Sequence, residues 1–235
     1  MLVGAVLAAA AFVQAALGFG FALVAMSVLA LFSGVMHAAG VVNITGNLLS
    51  IAMILALRDE ISWAYVKQFL PWSLIGVVIG VNALGRLDPQ VAARILGLST
   101  VTIALWNLWL PQTSARPSWF WDAAAGLGFG VLSGAFNQGG PPLVANLYRR
   151  PFTPRTMKGT AQTLFILAGL VRLPIAAAQG QLSQAVWQES WIATPFVGLG
   201  LVLGMRVSKH VDAVRFQRGS WMGLTLLGTY LCVVA

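Results

Sequence analysis

The sequence predicts an all-α, polytopic membrane protein with about eight transmembrane segments arranged as two repeats of four. Of its 235 residues, 58% are apolar and 9% are charged, whereas a soluble domain carries about 25% charged residues. No Asp, Glu, Lys or Arg occurs in residues 1–57. A water-soluble fold cannot bury so long an uncharged stretch, and the two halves of the chain also resemble each other.

Eight apolar runs are long enough to be transmembrane segments, since a helix needs about 20 apolar residues to cross roughly 30 Å of hydrocarbon. They lie at about 2–33, 38–57, 66–85, 95–110, 121–147, 160–178, 190–207 and 219–235. The first and fifth runs are too long for a simple crossing, and both contain clustered glycines, at 18–20 and 126–130. We expect each of these two to be a long tilted helix or a helix that breaks within the membrane.

An internal duplication accounts for the eight segments. At a shift of 124 residues, several residues of the first half recur in the second, namely Trp63, Pro71, Gly76, Val78, Gly80, Asp88 and Arg94. Nearer the start, residues 17–20 recur at 127–130, a shift of 110, which predicts a 14-residue insertion in the second half. We therefore divide the chain into a first repeat at 1–115 and a second at 116–235. Transporters built from repeats often hold substrate near the midplane.

The orientation of the two halves is left open by the charges. Eight full crossings make the halves parallel, whereas the halves become inverted if segments 1 and 5 are hairpins that enter and leave on one side. Both arrangements gather most of the cations on one face, so both satisfy the positive-inside rule. We expect eight crossings, because that arrangement requires nothing beyond a glycine-rich kink.

The most informative stretch lies at 133–143, within the fifth segment, and reads SGAFNQGGPPL. Its two prolines remove backbone donors and its glycines permit conformations that other residues resist, so we expect the helix to open here. Free N–H groups and a helix N-terminus beyond the prolines would attract an anion. The alternative interpretation is tight helix packing through small residues.

Few other polar side chains lie within the segments. Asn43 and Asn47 share a face of segment 2, while Gln162 and Arg172 lie in segment 6. A cation within a membrane indicates a functional site, but Arg172 lies near a segment end, so snorkelling to the interface is an equal alternative.

Several classes of function are excluded by what the chain lacks. All six acidic residues lie in loops or at segment ends, which leaves no buried carboxylate for a proton relay. No zinc motif, nucleophile elbow or phosphate-binding loop occurs, so we predict no enzyme and no cofactor. The cations lie in short loops between apolar runs rather than along one basic face, which argues against nucleic-acid binding.

The glycine segments at 17–23 and 132–143, within two four-segment repeats, resemble those of the TauE/SafE family of sulfite and organosulfonate exporters. The resemblance spans essentially the whole chain. It implies movement of small sulfur oxyanions, such as sulfite or sulfoacetate, across the bacterial cytoplasmic membrane. We expect export by alternating access at a midplane site between the repeats. The first copy lacks the proline that follows the second, which favours the second copy as the principal site.

An oxyanion requires converging N–H donors and, if it crosses as an anion, a positive group. We therefore expect the substrate to bind among Gly18, Gly20, Asn43, Asn47, Asn137, Gln138, Gly139, Gly140, Pro141, Gln162 and Arg172. The other partners are the lipid bilayer and, since small-residue faces pack within or between chains, a possible second copy. The alternatives are a transporter of another small anion or sulfur compound, and a membrane scaffold that moves nothing.

Overall fold

A computed structural model describes residues 1–109, 118–207 and the positions 222, 225–226, 228–230, 232 and 233, with side chains of the fifth helix described as far as residue 105. The described residues form helices joined by short connections. The helices are α1 (Leu2–Leu17), α2 (Phe21–Ser33), α3 (Val35–Leu57), α4 (Trp63–Leu84), α5 (Pro89–Trp109), α6 (Trp119–Phe136), α7 (Gly140–Leu147), α8 (Pro154–Ala178) and α9 (Gln184–Val207). A 3₁₀ turn, Arg58–Glu60, follows α3.

Four of the described helices are long and apolar enough to cross a bilayer, and these are α3 with its 3₁₀ extension, α4, α8 and α9. They correspond to the predicted segments 2, 3, 6 and 7. The helices α1 and α2, and the stretch Pro89–Leu105 of α5, are apolar but shorter. More than half of the eighth predicted segment, at 219–235, falls outside the described residues, so the eight-segment layout stays a prediction.

Segments 1 and 5 are broken helices, as one of the two sequence-based expectations had it. The first break, at residues 18–20, holds Gly18 and Gly20 at φ values of 91° and 112°. The second break, at residues 137–139, begins with Asn137 at a φ of 59°. These left-handed conformations end a helix and turn the chain away from its axis. Side chains other than Asn rarely adopt them, so glycine and asparagine determine where each helix stops.

The glycines at 126–130 do not break the fifth segment, which corrects their alignment with residues 18–20. They lie inside α6, and a Cβ at Gly130 would overlap the carbonyl oxygen of Ser73 and lie 2.8 Å from the Cα of Gly76. The neighbouring turns show the same close contact between α4 and α6. Matching the two breaks to each other requires a shift of 119 residues instead of 110, because Asn137 then falls on Gly18.

The glycine contacts show that α4 and α6 run parallel. Along α6, Gly126 meets Trp72 of α4 and Gly134 meets Val77, so the contacts follow the same order along both helices. The helices α1 and α9 form a second parallel pair of this kind, since added Cβ atoms at Gly200 and Gly204 would meet the carbonyl oxygens of Ala8 and Phe12. Small residues let helix backbones approach this closely in membranes. The glycines that recur at a shift of 124 therefore form helix contacts.

The second broken segment is a hairpin, not a crossing. Asn146, in the last turns of α7, donates from Nδ2 to Asp122 Oδ1 at 3.0 Å, and Asp122 lies in the first turn of α6. The chain therefore returns after the break to the end at which it entered. We call α6, the break and α7 the second hairpin.

The first broken segment also reverses. α1 ends beside the N-terminal part of α8, where Lys158 Nζ donates to the carbonyl oxygen of Ala16 at 2.9 Å. α2 then leads to the start of α3, which lies beside the C-terminal part of α8, because Arg172 contacts Ala39 there. We call α1, the break and α2 the first hairpin. The expectation that segments 1 and 5 cross is therefore wrong, because the left-handed residues at both breaks turn the chain back.

The two hairpins open toward opposite faces of the helix bundle. The second hairpin opens toward the face that carries the ends of α3 and α9 and the starts of α4 and α8. We call it the basic face, because it holds most of the described cations, namely Arg58, Lys67, Arg149, Arg150, Arg155, Lys158 and Arg206. The opposite face carries Arg86 and Arg94.

A buried ion pair fixes the base of the second hairpin. Arg150 Nη2 lies 2.6 Å from both carboxylate oxygens of Asp122, which is 1% exposed. Gln68 of α4 donates to the same carboxylate at 2.7 Å, and the Arg150 guanidinium stacks 5.2 Å from the ring centre of Tyr65. The hairpin is thereby attached to α4 at its base.

We expect Arg150→Met to lower the free energy of unfolding by about 3–5 kcal/mol, because it leaves the Asp122 carboxylate buried without its cation. Thermal unfolding of the detergent-purified protein measures the change. Arg149→Met is the matched control, since it removes the same charge from the adjacent residue, which stacks on Trp121 instead. Equal melting temperatures for the two variants would contradict the structural role of the ion pair.

Candidate functional site

A central cavity of about 60 Å³ lies between the two breaks. A single water needs about 10–15 Å³, so the cavity accommodates several waters or a small ion. Its polar lining comes from both hairpins and from α3, and the residues are Gln14, Asn43, Asn47, Ser50, Ser133, Asn137 and Gln138. Gly20 and Gly140, which flank the two breaks, line it as well.

Two antiparallel helices, α3 and α8, form the frame of this cavity. Ser50 of α3 contacts Gln162 of α8, and Ala39 of α3 contacts Arg172 of α8. At a rise of about 1.5 Å per residue, Gln162 and Arg172 lie about 15 Å apart along α8. Gln162 marks the depth of the first break and Arg172 that of the second.

The second break is held by amide side chains. Asn43 Nδ2 donates to Asn137 Oδ1 at 3.1 Å, and Asn137 Nδ2 donates to the carbonyl oxygen of Ala39 at 2.9 Å. Gln138 accepts from Thr100 Oγ1 at 3.3 Å and is 1% exposed. The tip of the second hairpin is therefore attached to α3 and α5 while its amides face the cavity.

The first break is held by a pair of glutamines. Gln162 Nε2 donates to the carbonyl oxygen of Gly18 at 2.8 Å, and Gln162 Oε1 accepts from Gln14 Nε2 at 3.0 Å and from Ser50 Oγ at 3.1 Å. Gln14 Oε1 in turn accepts from the N–H of Phe21, at the start of α2, at 3.0 Å. Gln14 thus bridges the two helices of the first hairpin across the break.

Arg172 is buried in the protein and does not snorkel. It is 1% exposed, and its Nε donates to the carbonyl oxygen of Gly134 at 2.8 Å. Its Nη1 lies 3.4 Å from the carbonyl oxygen of Ala39. Gly134 is in the last turn of α6, where the helix dipole favours a cation. The snorkelling alternative is therefore wrong, because α3 and α6 enclose the guanidinium.

Four polar atoms around the cavity are buried and have no partner in the described part of the chain: Asn43 Oδ1, Ser133 Oγ, Gln138 Nε2 and Arg172 Nη2. Three of these belong to donor groups. Buried polar groups in native structures are almost always paired, with protein or with ordered water. These atoms are therefore the candidate contacts for ordered water or a bound ion in this region.

The structure brings together most, but not all, of the residues predicted for the site. Gly20, Asn43, Asn47, Asn137, Gln138 and Gly140 line the cavity, whereas Gly18, Gly139, Pro141, Gln162 and Arg172 do not. Gln162 and Arg172 instead position the two breaks from behind the wall. Pro141 faces a separate apolar cavity next to α5, and a Cβ at Gly139 would overlap Ser133 Oγ.

Three lining residues, Gln14, Ser50 and Ser133, were missed as site residues from sequence. Gln14 carried a usable signal, because it is the one amide side chain in residues 1–42. Ser50 and Ser133 carried none, since a serine within an apolar helix usually bonds its own backbone. Only the approach of the two hairpins brings these side chains together.

The family model described as "Sulfite exporter TauE/SafE" matches residues 2–231 of the chain. The chain belongs to the TauE/SafE family. Two relatives agree with this. A Cupriavidus necator protein named probable sulfite/organosulfonate exporter TauE is 31% identical over 240 aligned positions, which cover 98% of this chain and 93% of the relative. A Comamonas testosteroni protein named probable inner membrane transporter protein TsaS is 29% identical over 162 positions, which cover 68% of this chain and 67% of the relative.

No solved structure matches the chain. Membership of the TauE/SafE family, together with the apolar helices, makes this chain a multi-pass membrane protein of a transporter family rather than of an enzyme family. The match spans both hairpins and the central cavity, so the whole described framework belongs to the TauE/SafE region.

Proposed function

We propose that this protein exports small sulfur oxyanions, sulfite or an organosulfonate such as sulfoacetate, across the bacterial cytoplasmic membrane. The single observation that carries the proposal is the convergence of two helix N-termini and unpaired donors on a cavity whose described lining holds no carboxylate. The names of the two relatives, one an exporter and one an inner membrane transporter, support export as the function and the cytoplasmic membrane as its location.

The helix N-termini favour an anion. α2 begins at Phe21 and α7 at Gly140, and both residues line the central cavity. The first turn of a helix carries a partial positive charge. This charge acts on the cavity even though the Phe21 N–H already donates to Gln14 Oε1 and Pro141 and Pro142 have no N–H. Transporters with interrupted helices use such ends to hold anionic groups near the midplane.

The side chains add donors of matching chemistry. Gln138 Nε2 and Ser133 Oγ are buried donor groups beside the second break. Hydrogen bonds from such groups to an anion are about twice as strong as neutral ones. Arg172 contributes positive charge from behind α6, although it does not line the cavity.

We further propose that the chain consists of two inverted repeats, at 1–115 and 116–235, with the basic face in the cytoplasm. The opposite directions of the hairpins support inversion, and the distribution of cations supports this orientation. At the shift of 119 residues, Gly18, Gly20, Gly40 and Asn43 fall on Asn137, Gly139, Gly159 and Gln162. Asn43 and Gln162 each contact the break of the opposite repeat. Rocking one repeat against the other would then expose the cavity to each side in turn.

Export of an anion requires no coupling ion. With the cell interior negative, moving one anionic charge outward gains about 2.3 kcal/mol per 100 mV. This gain corresponds to a concentration ratio of about fiftyfold at 25 °C. The absence of carboxylates among the described lining residues is consistent with such uncoupled, electrogenic movement.

We expect purified protein in proteoliposomes to transport sulfite at a rate that rises when a potassium diffusion potential makes the sulfite-containing side negative. Flux is measured with and without valinomycin, and protein-free vesicles give the background. A transport rate that does not change with the imposed potential would contradict electrogenic transport. The absence of any sulfite flux or binding would contradict sulfite as the substrate.

A different small anion or sulfur compound is the alternative substrate, because the donors described above suit any compact oxyanion. Competition of sulfite flux by sulfoacetate, thiosulfate and small carboxylates separates these solutes. The scaffold alternative requires close packing around the second break, and the central cavity at that position argues against it. A possible homo-oligomer stays a prediction.

A further inference from the structure

A second cavity, of about 70 Å³, lies on the other side of the first break. It opens beside the start of α8 on the basic face. Residues of the first hairpin form one wall, and the end of α7 with the first turns of α8 forms the other, with Leu17, Gly18, Phe19, Tyr148, Pro154 and Lys158 among the lining residues. We call it the Lys158 cavity.

The tip of the first hairpin separates the two cavities. Residues 17–19 line the Lys158 cavity, and residues 20–23 line the central cavity. Phe19 is 3% exposed, and an added Cβ at Gly140 would lie 3.5 Å from its side chain. Phe165 reaches the same position from α8. Phe19 therefore lies between the two cavities, where the first hairpin meets the start of α7.

Lys158 holds this tip through the end of α1. Its Nζ donates to the carbonyl oxygens of Ala16 at 2.9 Å and Ala15 at 3.3 Å. An ammonium group has three donors, and these two contacts leave one of them for a further partner. The lysine is the one cation that lines this cavity among the described residues.

We propose that the Lys158 cavity is a loading site, where an oxyanion from the basic face binds the ammonium group before Phe19 moves aside and admits it to the central cavity. The proposal rests on the proposed transport of small oxyanions. An anion bound to the remaining donor draws the ammonium group away from the carbonyl oxygens of Ala15 and Ala16. Binding therefore weakens the contact that holds the first hairpin in place, and the tip carrying Phe19 is freed to move.

A purely structural role for Lys158 predicts something different. If the lysine only stabilises the end of α1, its loss lowers transport from both faces and leaves the affinity for the anion unchanged. A loading site instead affects the KM for anion presented at the basic face, with a much smaller effect on the maximal rate and on the KM at the opposite face.

The first test compares Lys158→Met with Lys67→Met, which removes the same charge from an exposed position on the basic face. Inside-out and right-side-out vesicles present sulfite to the two faces. We expect Lys158→Met to raise the basic-face KM about tenfold, as expected for losing one hydrogen bond to a charged ligand, and Lys67→Met and Lys158→Arg to change it less than about threefold. An unchanged KM for Lys158→Met, or equal changes at both faces, would overturn the loading site.

The second test does not depend on flux. In a Cys232→Ser background, Lys158→Cys is labelled from the basic face with an anionic methanethiosulfonate, and sulfoacetate is expected to slow the reaction. Asn47→Cys, in the central cavity, is expected to react from that face much faster when Phe19→Ala is added. If Phe19→Ala leaves this rate unchanged, Phe19 is not the barrier.

The two proposals fail separately. Wild-type protein that moves and binds no sulfite or sulfoacetate overturns the proposed function. Wild-type protein that transports, combined with an unaltered basic-face KM in Lys158→Met, overturns the loading site alone.

Discussion

Gln138→Leu is expected to reduce the affinity for sulfite by about 10- to 100-fold, because a hydrogen bond to a charged ligand contributes about 1.5–3 kcal/mol. Gln138 is the strongest candidate for such a bond. Its Nε2 is buried at the tip of the second hairpin without a partner among the described residues, and its Oε1 is already engaged by Thr100. Leucine has a similar size, so the packing of the tip is largely kept. The dissociation constant from calorimetry on purified protein is the direct measurement.

The control for this substitution is Gln90→Leu, which removes the same amide from an exposed position on α5. We expect it to bind sulfite like the wild type. Thermal unfolding of both variants separates loss of binding from loss of folding. A well-folded Gln138→Leu protein that binds sulfite with unchanged affinity would remove Gln138 from the site.

Gly130→Ala is expected to lower the free energy of unfolding by about 3 kcal/mol or more, the upper range for overpacking a close contact. A Cβ at Gly130 would overlap the carbonyl oxygen of Ser73 and lie 2.8 Å from the Val77 nitrogen. Both neighbours are backbone atoms of α4, which cannot rotate aside as a side chain can. The two helices must move apart along their parallel contact.

The matched control is Gly128→Ala, two residues away on the same helix. A Cβ there would meet Pro142 at 3.9 Å, an ordinary contact. Because alanine favours helix more than glycine does by about 1 kcal/mol, this variant should be neutral or slightly more stable. Size-exclusion profiles and thermal unfolding in detergent measure both. Equal stability of the two variants would contradict the close packing of α4 on α6.

The sequence correctly predicted that the helix of the fifth segment opens near residues 137–139. Two adjacent prolines and two glycines following Asn137 leave a helix few ways to continue, and this is local chemistry that needs no neighbours. Asn43, Asn137 and Gln138 were likewise predictable, because polar side chains in hydrocarbon require partners. Both predictions follow from the cost of leaving a polar group unpaired in a membrane.

The alignment of the two breaks was not predictable from local similarity. The glycines at 126–130 match those at 18–20 in sequence, yet Gly126 and Gly130 are required by the contact with α4, whereas Gly18 and Gly20 are required by positive φ. Glycine serves both purposes, since it lacks a Cβ in either case. The position equivalent to Gly18 is Asn137, which also tolerates the left-handed region. Because the two residues differ, the correspondence of the two breaks is not visible in the sequence.

By itself, the sequence determined the membrane class, the long helices and the places where two helices open, because hydrophobicity and backbone chemistry act over a few residues. The tertiary structure decided that the opened helices turn back as hairpins and that Arg172 is enclosed behind the cavity wall. It also decided that Gln14, Ser50 and Ser133 line the same cavity as the amides of the second break. These features depend on contacts between different helices, such as Gln14 of α1 with Gln162 of α8, and the packing of α1 on α9 and α6 on α4 brings such residues together.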